Sequence, residues 1–462
     1  MTDCSKFCSM TASELLAGYR SREFSPVEVV RAVLERTAMV NPRINALFHI
    51  DADYALAAAS ASEKRWLRNE MTGTLDGVPV SIKDSVAAKG TPMWRGAKAY
   101  MDRPWSTVDS PPAARLRESG AVLFAKATMP DFGMFGAGVS TAHGITRNPW
   151  NLAFNTGGSS SGGSAAVAAR LGPLTVGSDI GGSLRLPAAM CGLSTIKPTQ
   201  GRIPHLPPSP IRTAGPIARD VRDAALMLSV LAQPDARDYG SLAPEGLAYH
   251  ELLERNIKGL RIGLMLEMGR GVPLAPSVRN AIEIAAQQFG AAGAHVEMME
   301  PLNIDSIEAL APIFSVRSRI ELNHLPPEKH ADVHFLVRQM CEKADHFSAV
   351  MYGEAMDRVE KIKAQVIALT APFDYVLTPI MPVVNFPAED VAPDPTEPLS
   401  VGTYTMLFNQ TGQPAASVCC GFDERGLPIG LQIVGQRFDD LGVLQMAAFF
   451  ETARDFKIIW PD

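Results

Sequence analysis

Two glycine turns that end in serine, and one lysine in an apolar run, are the residues of this sequence best suited to chemistry. The turns are Gly157-Gly158-Ser159 and Gly181-Gly182-Ser183, and the lysine is Lys83, which follows Val80-Ser81-Ile82. A serine hydroxyl is a weak nucleophile until a neighbouring group removes its proton. A lysine can do this only when it is neutral, and burial or nearby positive charge lowers its pKa. The three residues therefore predict a serine nucleophile, Ser183, that Lys83 activates through Ser159 without a histidine.

The second turn also has the composition of an anion-binding turn. Glycine adopts positive φ without steric cost and lets the backbone approach a ligand closely. Successive N–H groups of the 179–183 turn can therefore converge and stabilise an anion that develops on a carbonyl oxygen. Taken singly, a glycine-serine run is most often a flexible loop, and a lysine beside a strand is usually solvated. It is their combination, with Asp179 and Arg185 flanking the turn, that points to catalysis.

The rest of the chain alternates between strand and helix patterns. Strands are predicted at 78–82, 121–125, 174–177, 259–264, 295–299, 375–378 and 416–420, and helices at 113–119, 164–171, 219–231 and 277–289. Thr11 with Glu14, and Ser25 with Glu28, fit capping boxes at the start of two further helices. This alternation predicts an α/β fold with a largely parallel sheet that is covered on both faces.

Composition limits the class of protein. The chain has 462 residues, 46% hydrophobic and 20% charged, and its net charge of −6 gives no reason to expect a nucleic-acid partner. Its six cysteines are sparse, which favours a reducing compartment. The first ten residues lack the pattern of a signal peptide, and no run reaches the ~18 apolar residues of a membrane span. We expect a cytoplasmic protein that works without a membrane partner.

The run from Gly157 to Pro187 resembles the signature of the amidase signature family, serine hydrolases with a Ser-cisSer-Lys triad. It contains a GGSS turn, a small-residue helix and a D-x-GGS-x-R-x-P turn. Further matches lie at 75–79, 125–132, 143–144, 148–151, 197–202, 215–219, 408–415 and 426–432. The resemblance covers most of the chain. It implies one compact domain over residues 1–462, with a large mixed twisted β-sheet between α-helical layers.

The resemblance also implies roles for individual residues. Ser183 matches the nucleophile and Lys83 the general base. An ungapped alignment places Ser159 at the bridging position, whereas a gapped one places Ser160 there; we favour Ser159 because it needs no insertion and deletion so close together. The implied oxyanion donors are the N–H groups of Ile180, Gly181, Gly182 and Ser183, and the implied supporting residues are Asp179 and Arg185.

The implied reaction has two halves and needs no metal or organic cofactor. Ser183 attacks the carbonyl while its proton passes through Ser159 to neutral Lys83, and the same relay then protonates the leaving amine. Water, deprotonated by the reverse relay, hydrolyses the acyl-enzyme. The substrate is a small molecule, and the protein is a monomer or a homodimer.

The segment 305–371 is the part least similar to the family. Its pattern is charged and helical, and we interpret it as a variable cap over the substrate entrance. His330 and His334 have helical spacing, but without a clear carboxylate partner they are weak grounds for a metal site. Candidates for an apolar acyl or aryl pocket are Met93, Trp94, Phe132, Met134, Phe135 and Ile180.

Three other functions compete with the prediction of an amidase. An α/β-hydrolase is rejected: the formal G-x-S-x-G at Gly158–Gly162 follows a polar turn, and the last histidine is His346. A non-catalytic binding subunit is disfavoured by the intact triad. The glutaminase-type subunit of a tRNA-dependent amidotransferase stays as the alternative, although the sequence shows no charged anchor for glutamine. The sequence therefore predicts an amidase that cleaves neutral aryl or small acyl amides, with esterase and carbamate (urethane) hydrolase activity.

Overall fold

The computed structural model describes residues 3–269, 271–304 and 306–462, with side chains from residue 6 onward. The strands are β1 (Leu47–Ile50), β2 (Pro79–Lys83), β3 (Val122–Ala127), β4 (Val139–Ser140), β5 (Gly144–Ile145), β6 (Leu174–Asp179), β7 (Ser194–Lys197), β8 (Thr213–Ala218), β9 (Arg261–Leu264), β10 (His295–Met298), β11 (Tyr375–Pro379), β12 (Ala415–Phe422) and β13 (Pro428–Gly435). The helices are α1 (Asp3–Ser9), α2 (Ala12–Ser21), α3 (Pro26–Ile44), α4 (Ala52–Arg68), α5 (Pro111–Glu118), α6 (Ser161–Ala168), α7 (Arg185–Cys191), α8 (Val221–Leu231), α9 (Pro276–Ala291), α10 (Ser306–Asn323), α11 (Phe335–Ala344), α12 (Ala349–Thr370), α13 (Met406–Gln410) and α14 (Asp440–Ala453).

Eleven of the strands form one mixed sheet, in the order β1-β3-β2-β6-β8-β7-β12-β13-β11-β9-β10. Parallel pairing joins β3 to β2, β2 to β6, β11 to β9 and β9 to β10, and the other neighbours are antiparallel. The largely parallel sheet that the alternation predicted is therefore wrong, whereas the mixed sheet that the resemblance implied is confirmed. Two of the antiparallel pairs, β7 with β8 and β12 with β13, join strands that follow one another without an intervening helix.

Helical layers cover the two faces of this sheet. Successive residues of β3 point to opposite sides: Leu123 joins an apolar cluster with α5, α8, α9 and α14, while Val122 and Phe124 join a cluster with α3, α4 and α6. Both predicted capping boxes are present at the starts of α2 and α3. None of the helices in the described ranges is long and apolar enough to cross a membrane.

The sheet brings the candidate catalytic segments to one edge. Strands β2 and β6 are parallel neighbours, with Ile82 beside Val176. They end at Lys83 and Asp179, and the carboxyl ends of parallel strands lie at the same edge of a sheet. The serine turns that precede α6 and α7 meet at this edge. The predicted helical segment 305–371 contains α10, α11 and α12; Asp305 itself lies outside the described residues.

Candidate active site

The amine of Lys83 lies within reach of three serine hydroxyls. Its Nζ is 2.8 Å from Ser159 Oγ, 3.1 Å from Ser160 Oγ and 3.3 Å from Ser178 Oγ. Lys83 is the last residue of β2 and is only 2% exposed, because this strand lies between β3 and β6 within the sheet. The structure thus joins the predicted lysine to the predicted bridging serine, residues that are far apart in the sequence.

The two candidates for the bridge, Ser159 and Ser160, differ in their surroundings. Ser159 follows a cis peptide bond from Gly158, and its hydroxyl lies against Gly133, where an added Cβ would meet Ser159 Oγ at 3.2 Å. Ser160 Oγ instead lies 3.4 Å from the carbonyl oxygen of Ser178, inside β6. Ser160 is therefore held against the sheet, while Ser159 lies between Lys83 and the loop at Gly133.

The turn that carries Ser183 is held by a buried ion pair. The Asp179 carboxylate accepts two hydrogen bonds from Arg185, both 3.0 Å, and further bonds from the N–H groups of Gly182 (2.7 Å) and Leu184 (3.1 Å). Both charged side chains are 0% exposed. The guanidinium of Arg185 keeps the pKa of Asp179 well below its ordinary value despite burial. This arrangement agrees with the predicted supporting role of the pair.

Residues from the far end of the chain complete this ion pair. Arg185 also donates to the carbonyl oxygen of Thr405 and to the side-chain oxygens of Asn409 and Gln432, at 2.9, 2.7 and 2.6 Å. The amide of Asn409 donates to Asp179 at 2.9 Å. Asn409 and Gln432 lie in segments that match the family, but their sequence predicts no role for them. No local sequence pattern connects them to a turn more than 200 residues away.

The predicted oxyanion donors are not equivalent. The Gly182 N–H already donates to Asp179, so it is not free to bind a substrate oxygen. Among the residues that the structure describes, the N–H groups of Ile180, Gly181 and Ser183 have no acceptor. Gly182 nevertheless has to be glycine: its φ is +121°, and an added Cβ would lie 2.3 Å from Thr405 Oγ1. The candidate oxyanion donors are therefore three N–H groups, those of Ile180, Gly181 and Ser183, and not four.

Accessibility increases from the lysine to the predicted nucleophile. Lys83 and Ser159 are buried, at 2% and 4% exposure, whereas Ser183 is only partly buried. The N–H of Ser160 donates to the carbonyl oxygen of Ser183 at 3.2 Å, which places the two serine turns side by side. A substrate can thus approach Ser183 while the amine of Lys83 stays away from bulk water.

Burial alone does not single out Lys83. Lys83, Lys126 and Lys197 are all buried, and desolvation lowers their pKa values to about 7, about 8 and about 7. Lys126 donates to the carbonyl oxygen of Val86 and Lys197 to that of Pro198. Of the three, it is Lys83 that contacts serine hydroxyls, and Arg212 and Arg95 lower its pKa further through their positive charge.

Four of the six predicted pocket residues lie in or against one apolar cluster. Phe132 and Phe135 belong to it, and Trp94 and Met134 pack on it. Phe132 and Met134 flank Gly133, which touches Ser159, so this part of the cluster adjoins the triad. The Trp94 ring is also stacked on Phe48 at 4.9 Å, and the backbone N–H of Trp94 donates to the Asp84 carboxylate. Met93 and Ile180 are partly buried.

The helices of the 305–371 segment pack on the same region. Glu321 of α10 forms an ion pair of 2.8 Å with Arg95, and the N–H of His334 donates to the buried Asp131 at 2.9 Å. His334 also packs edge-on against Phe135. His330 lies near the carbonyl oxygen of Leu325. Within the described ranges, no group of three or more His, Cys, Asp or Glu side chains could hold a metal ion.

Comparison with known proteins agrees with this fold. The profile of the Amidase family matches residues 28–444. The chain is 33% identical to an acylamidase of Rhodococcus erythropolis, over 98% of this chain and 96% of that one. It is 30% identical to the A subunit of the glutamyl-tRNA(Gln) amidotransferase of Alkaliphilus metalliredigens, over 96% of both chains. A bacterial aryl acylamidase of known structure superposes with a TM-score of 0.90 at 31% identity, covering 97% of this chain and 96% of the other.

This protein belongs to the amidase signature family. Its class is that of the enzymes that hydrolyse carbon–nitrogen bonds.

The ion pair under the Ser183 turn gives a first prediction. Replacing Asp179 by Asn leaves the charge of Arg185 buried without its counter-ion, so we expect the free energy of unfolding to fall by about 3 to 5 kcal/mol. Urea unfolding followed by circular dichroism measures this. The matched control is Glu23→Gln, which removes the exposed ion pair with Lys6 and should cost less than about 1 kcal/mol. Equal losses in the two variants would contradict the structural role of Asp179.

Proposed function

We propose that this protein is a Ser183-dependent amidase that uses Ser159 and Lys83 as its proton relay. The observation that carries the proposal is the contact of 2.8 Å between Ser159 Oγ and a lysine amine whose burial lowers its pKa to about 7. At neutral pH a large fraction of such an amine is unprotonated and can accept a proton. The parallel ends of β2 and β6 bring this relay beside the Ser183 turn.

The reaction starts with attack of Ser183 Oγ on the substrate carbonyl. The hydroxyl proton passes to Ser159, whose own proton passes to Lys83 Nζ, and a C–O bond forms as the carbonyl becomes an oxyanion. The N–H groups of Ile180, Gly181 and Ser183 stabilise that charge. Lys83 then returns the proton through Ser159 to the leaving nitrogen, and the C–N bond breaks. Water attacks the acyl-enzyme with Lys83 again as the base, which releases the acid and restores Ser183.

The substrate class that we propose is aryl or small acyl amides. Support comes from the apolar cluster beside Ser159 and from the similarity to an acylamidase and an aryl acylamidase. Aryl esters and carbamates present the same carbonyl with a leaving oxygen or nitrogen, so the same relay serves them. We also propose that α10 to α12 form a cap over the entrance, and that the enzyme is a cytoplasmic monomer or homodimer.

A second candidate is the glutamine-hydrolysing subunit of a tRNA-dependent amidotransferase. The similarity to the A subunit of the glutamyl-tRNA(Gln) amidotransferase favours it. The two functions separate on a direct assay: the amidotransferase subunit should hydrolyse glutamine and leave aryl anilides intact. A stand-alone amidase should hydrolyse aryl anilides and leave glutamine intact.

Reporter hydrolysis tests the proposed nucleophile and the substrate class together. We expect the wild type to release para-nitroaniline from an acyl anilide, and para-nitrophenol from an ester and from a carbamate. Because Ser183 forms the acyl-enzyme, Ser183→Ala should lower all three rates by about 10⁴-fold or more. Ser60→Ala, at a partly exposed position on α4, is the matched control. Activity that survives Ser183→Ala would place the nucleophile elsewhere, and an anilide rate without a carbamate rate would remove carbamates from the substrates.

The relay serine gives a second kinetic prediction. Ser159→Ala breaks the path between Ser183 and Lys83 and should lower kcat by about 10²- to 10⁴-fold. Ser160→Ala removes a neighbouring hydroxyl that is held against β6, and should lower kcat by less than about tenfold. Steady-state kinetics on the anilide measures both. The reverse order of the two losses would assign the relay to Ser160.

The pKa of Lys83 predicts the pH dependence. The amine accepts a proton only in its neutral form, and its pKa lies at about 7 rather than at its ordinary value of 10.5. We therefore expect kcat/KM for the anilide to fall about tenfold per pH unit below that pKa and to level off above it. A profile that stays flat down to about pH 5 would show that Lys83 is not the base.

A further inference from the structure

Arg212 lies near the turn that carries Ser183 and has no role in the proposed mechanism. Strands β6 and β8 are antiparallel, with Asp179 opposite Thr213, so Ile180, the first residue after β6, and Arg212, the last residue before β8, lie at the same edge of the sheet. The Asn409 amide bonds both the Asp179 carboxylate (2.9 Å) and the carbonyl oxygen of Ile211 (3.3 Å). The same amide therefore contacts the carboxylate that holds the turn and the backbone of the residue before Arg212.

The guanidinium of Arg212 forms no direct ion pair in the described part of the chain, and Glu321 and Asp238 favour its charged form only from beyond ion-pair distance. No carboxylate lies within ion-pair distance of it; its NH2 group donates to the carbonyl oxygen of Pro207, and its buried Nε has no acceptor. Buried or half-buried arginines are usually paired, because removing an uncompensated charge from water is costly. A cation left unpaired at the edge of a substrate site is suited to an anion that the substrate itself brings.

Arg95, the other arginine near the proposed triad, has an ion-pair partner. The carbonyl oxygen of Arg95 accepts a hydrogen bond of 2.8 Å from the N–H of Phe132, next to the Gly133 loop on Ser159. Its guanidinium is paired with Glu321, which also accepts the hydroxyl of Tyr100. The positive charges of both arginines lower the pKa of Lys83, as expected for groups that face the same site. Arg95 thus has a direct ion-pair partner in the protein, whereas Arg212 feels Glu321 and Asp238 only at longer range.

A buried histidine lies in the same region. His205 is 2% exposed, and neither of its ring nitrogens has a partner among the described residues. Burial, together with the positive charge of Arg212, keeps its pKa well below the ordinary value, so the ring is neutral. Its backbone N–H donates to Asp238, which fixes the loop that leads to Arg212. A neutral ring with unused nitrogens supplies a hydrogen-bonding group beside the cation.

We propose that Arg212, assisted by His205, binds a carboxylate on the acyl part of the substrate. The proposal rests on the amidase function above and changes its specificity: the preferred amides carry an anionic group a few bonds from the scissile carbonyl. This replaces the neutral substrate that the apolar candidates and the missing charged anchor had favoured. Arg212 is that anchor, and an isolated arginine in a proline-rich loop gave no sign of it in the sequence.

The test uses two anilides of the same shape and different charge. Succinyl para-nitroanilide carries a carboxylate where isohexanoyl para-nitroanilide has two methyl groups. We expect the wild type to prefer the succinyl compound and Arg212→Gln to reduce the ratio of their kcat/KM values by about ten- to hundredfold. Arg212→Lys should retain part of the preference, because it keeps the charge without the planar fork. Arg261→Gln, at the start of the remote strand β9, is the matched control and should leave the ratio unchanged.

The assay is run at about pH 9, where Lys83 is neutral in every variant, so a change in its pKa does not alter the ratio. A ratio that Arg212→Gln does not change would overturn the proposal while leaving the amidase function intact. If the wild type cleaves neither anilide, the amidase function fails instead. In that case calorimetric titration with succinate decides on the binding site: binding to the wild type that Arg212→Gln abolishes supports it, and no binding to the wild type overturns it.

Discussion

The amine of Lys83 is buried at the end of an interior strand and is in contact with serine hydroxyls, and the proposed chemistry of the site depends on this placement. Burial removes water from the amine and lowers its pKa to about 7, which makes a base out of a group that is normally protonated. The serine hydroxyls satisfy its hydrogen-bonding capacity without supplying a negative charge. A carboxylate in their place would raise the pKa and leave the amine protonated.

For the Lys83 amine to stay neutral, the nearby carboxylates must be bound to other groups. Asp84 follows Lys83 directly and would otherwise be such a carboxylate, but it accepts hydrogen bonds from the N–H groups of Trp94 and Gly96 and faces His143. Asp179 is bound to Arg185 by two hydrogen bonds. Both carboxylates raise the pKa of Lys83, but Arg212 and Arg95 act against them, and desolvation is the largest effect. The Lys83 amine is therefore both buried and only weakly basic.

The Asp179–Arg185 ion pair also positions the turn that carries Ser183, the proposed nucleophile. Asp179 holds the backbone of the 182–184 turn, and Arg185 extends from that turn to Thr405, Asn409 and Gln432. The C-terminal segments thereby hold a loop that belongs to the centre of the chain.

How much can be predicted from the sequence depends on whether the signal is local. The capping boxes at Thr11 and Ser25, the strand that ends at Lys83 and the serine turns are local patterns, and they predicted the helix starts and the candidate triad. The pairing of β6 with β8, the counter-ion network of Arg185 and the unpaired state of Arg212 are not local. Each depends on residues that meet only after the sheet has formed.

The sequence by itself determined the types of residue that could react and the family to which the chain is similar. The tertiary structure decided which strands are antiparallel, that the N–H of Gly182 is already bound to Asp179, and that Lys83 rather than Lys126 or Lys197 meets the serines. The physical reason is that pKa values and hydrogen-bond partners are set by the distances and burial of groups remote in the chain, and one-dimensional spacing does not contain these.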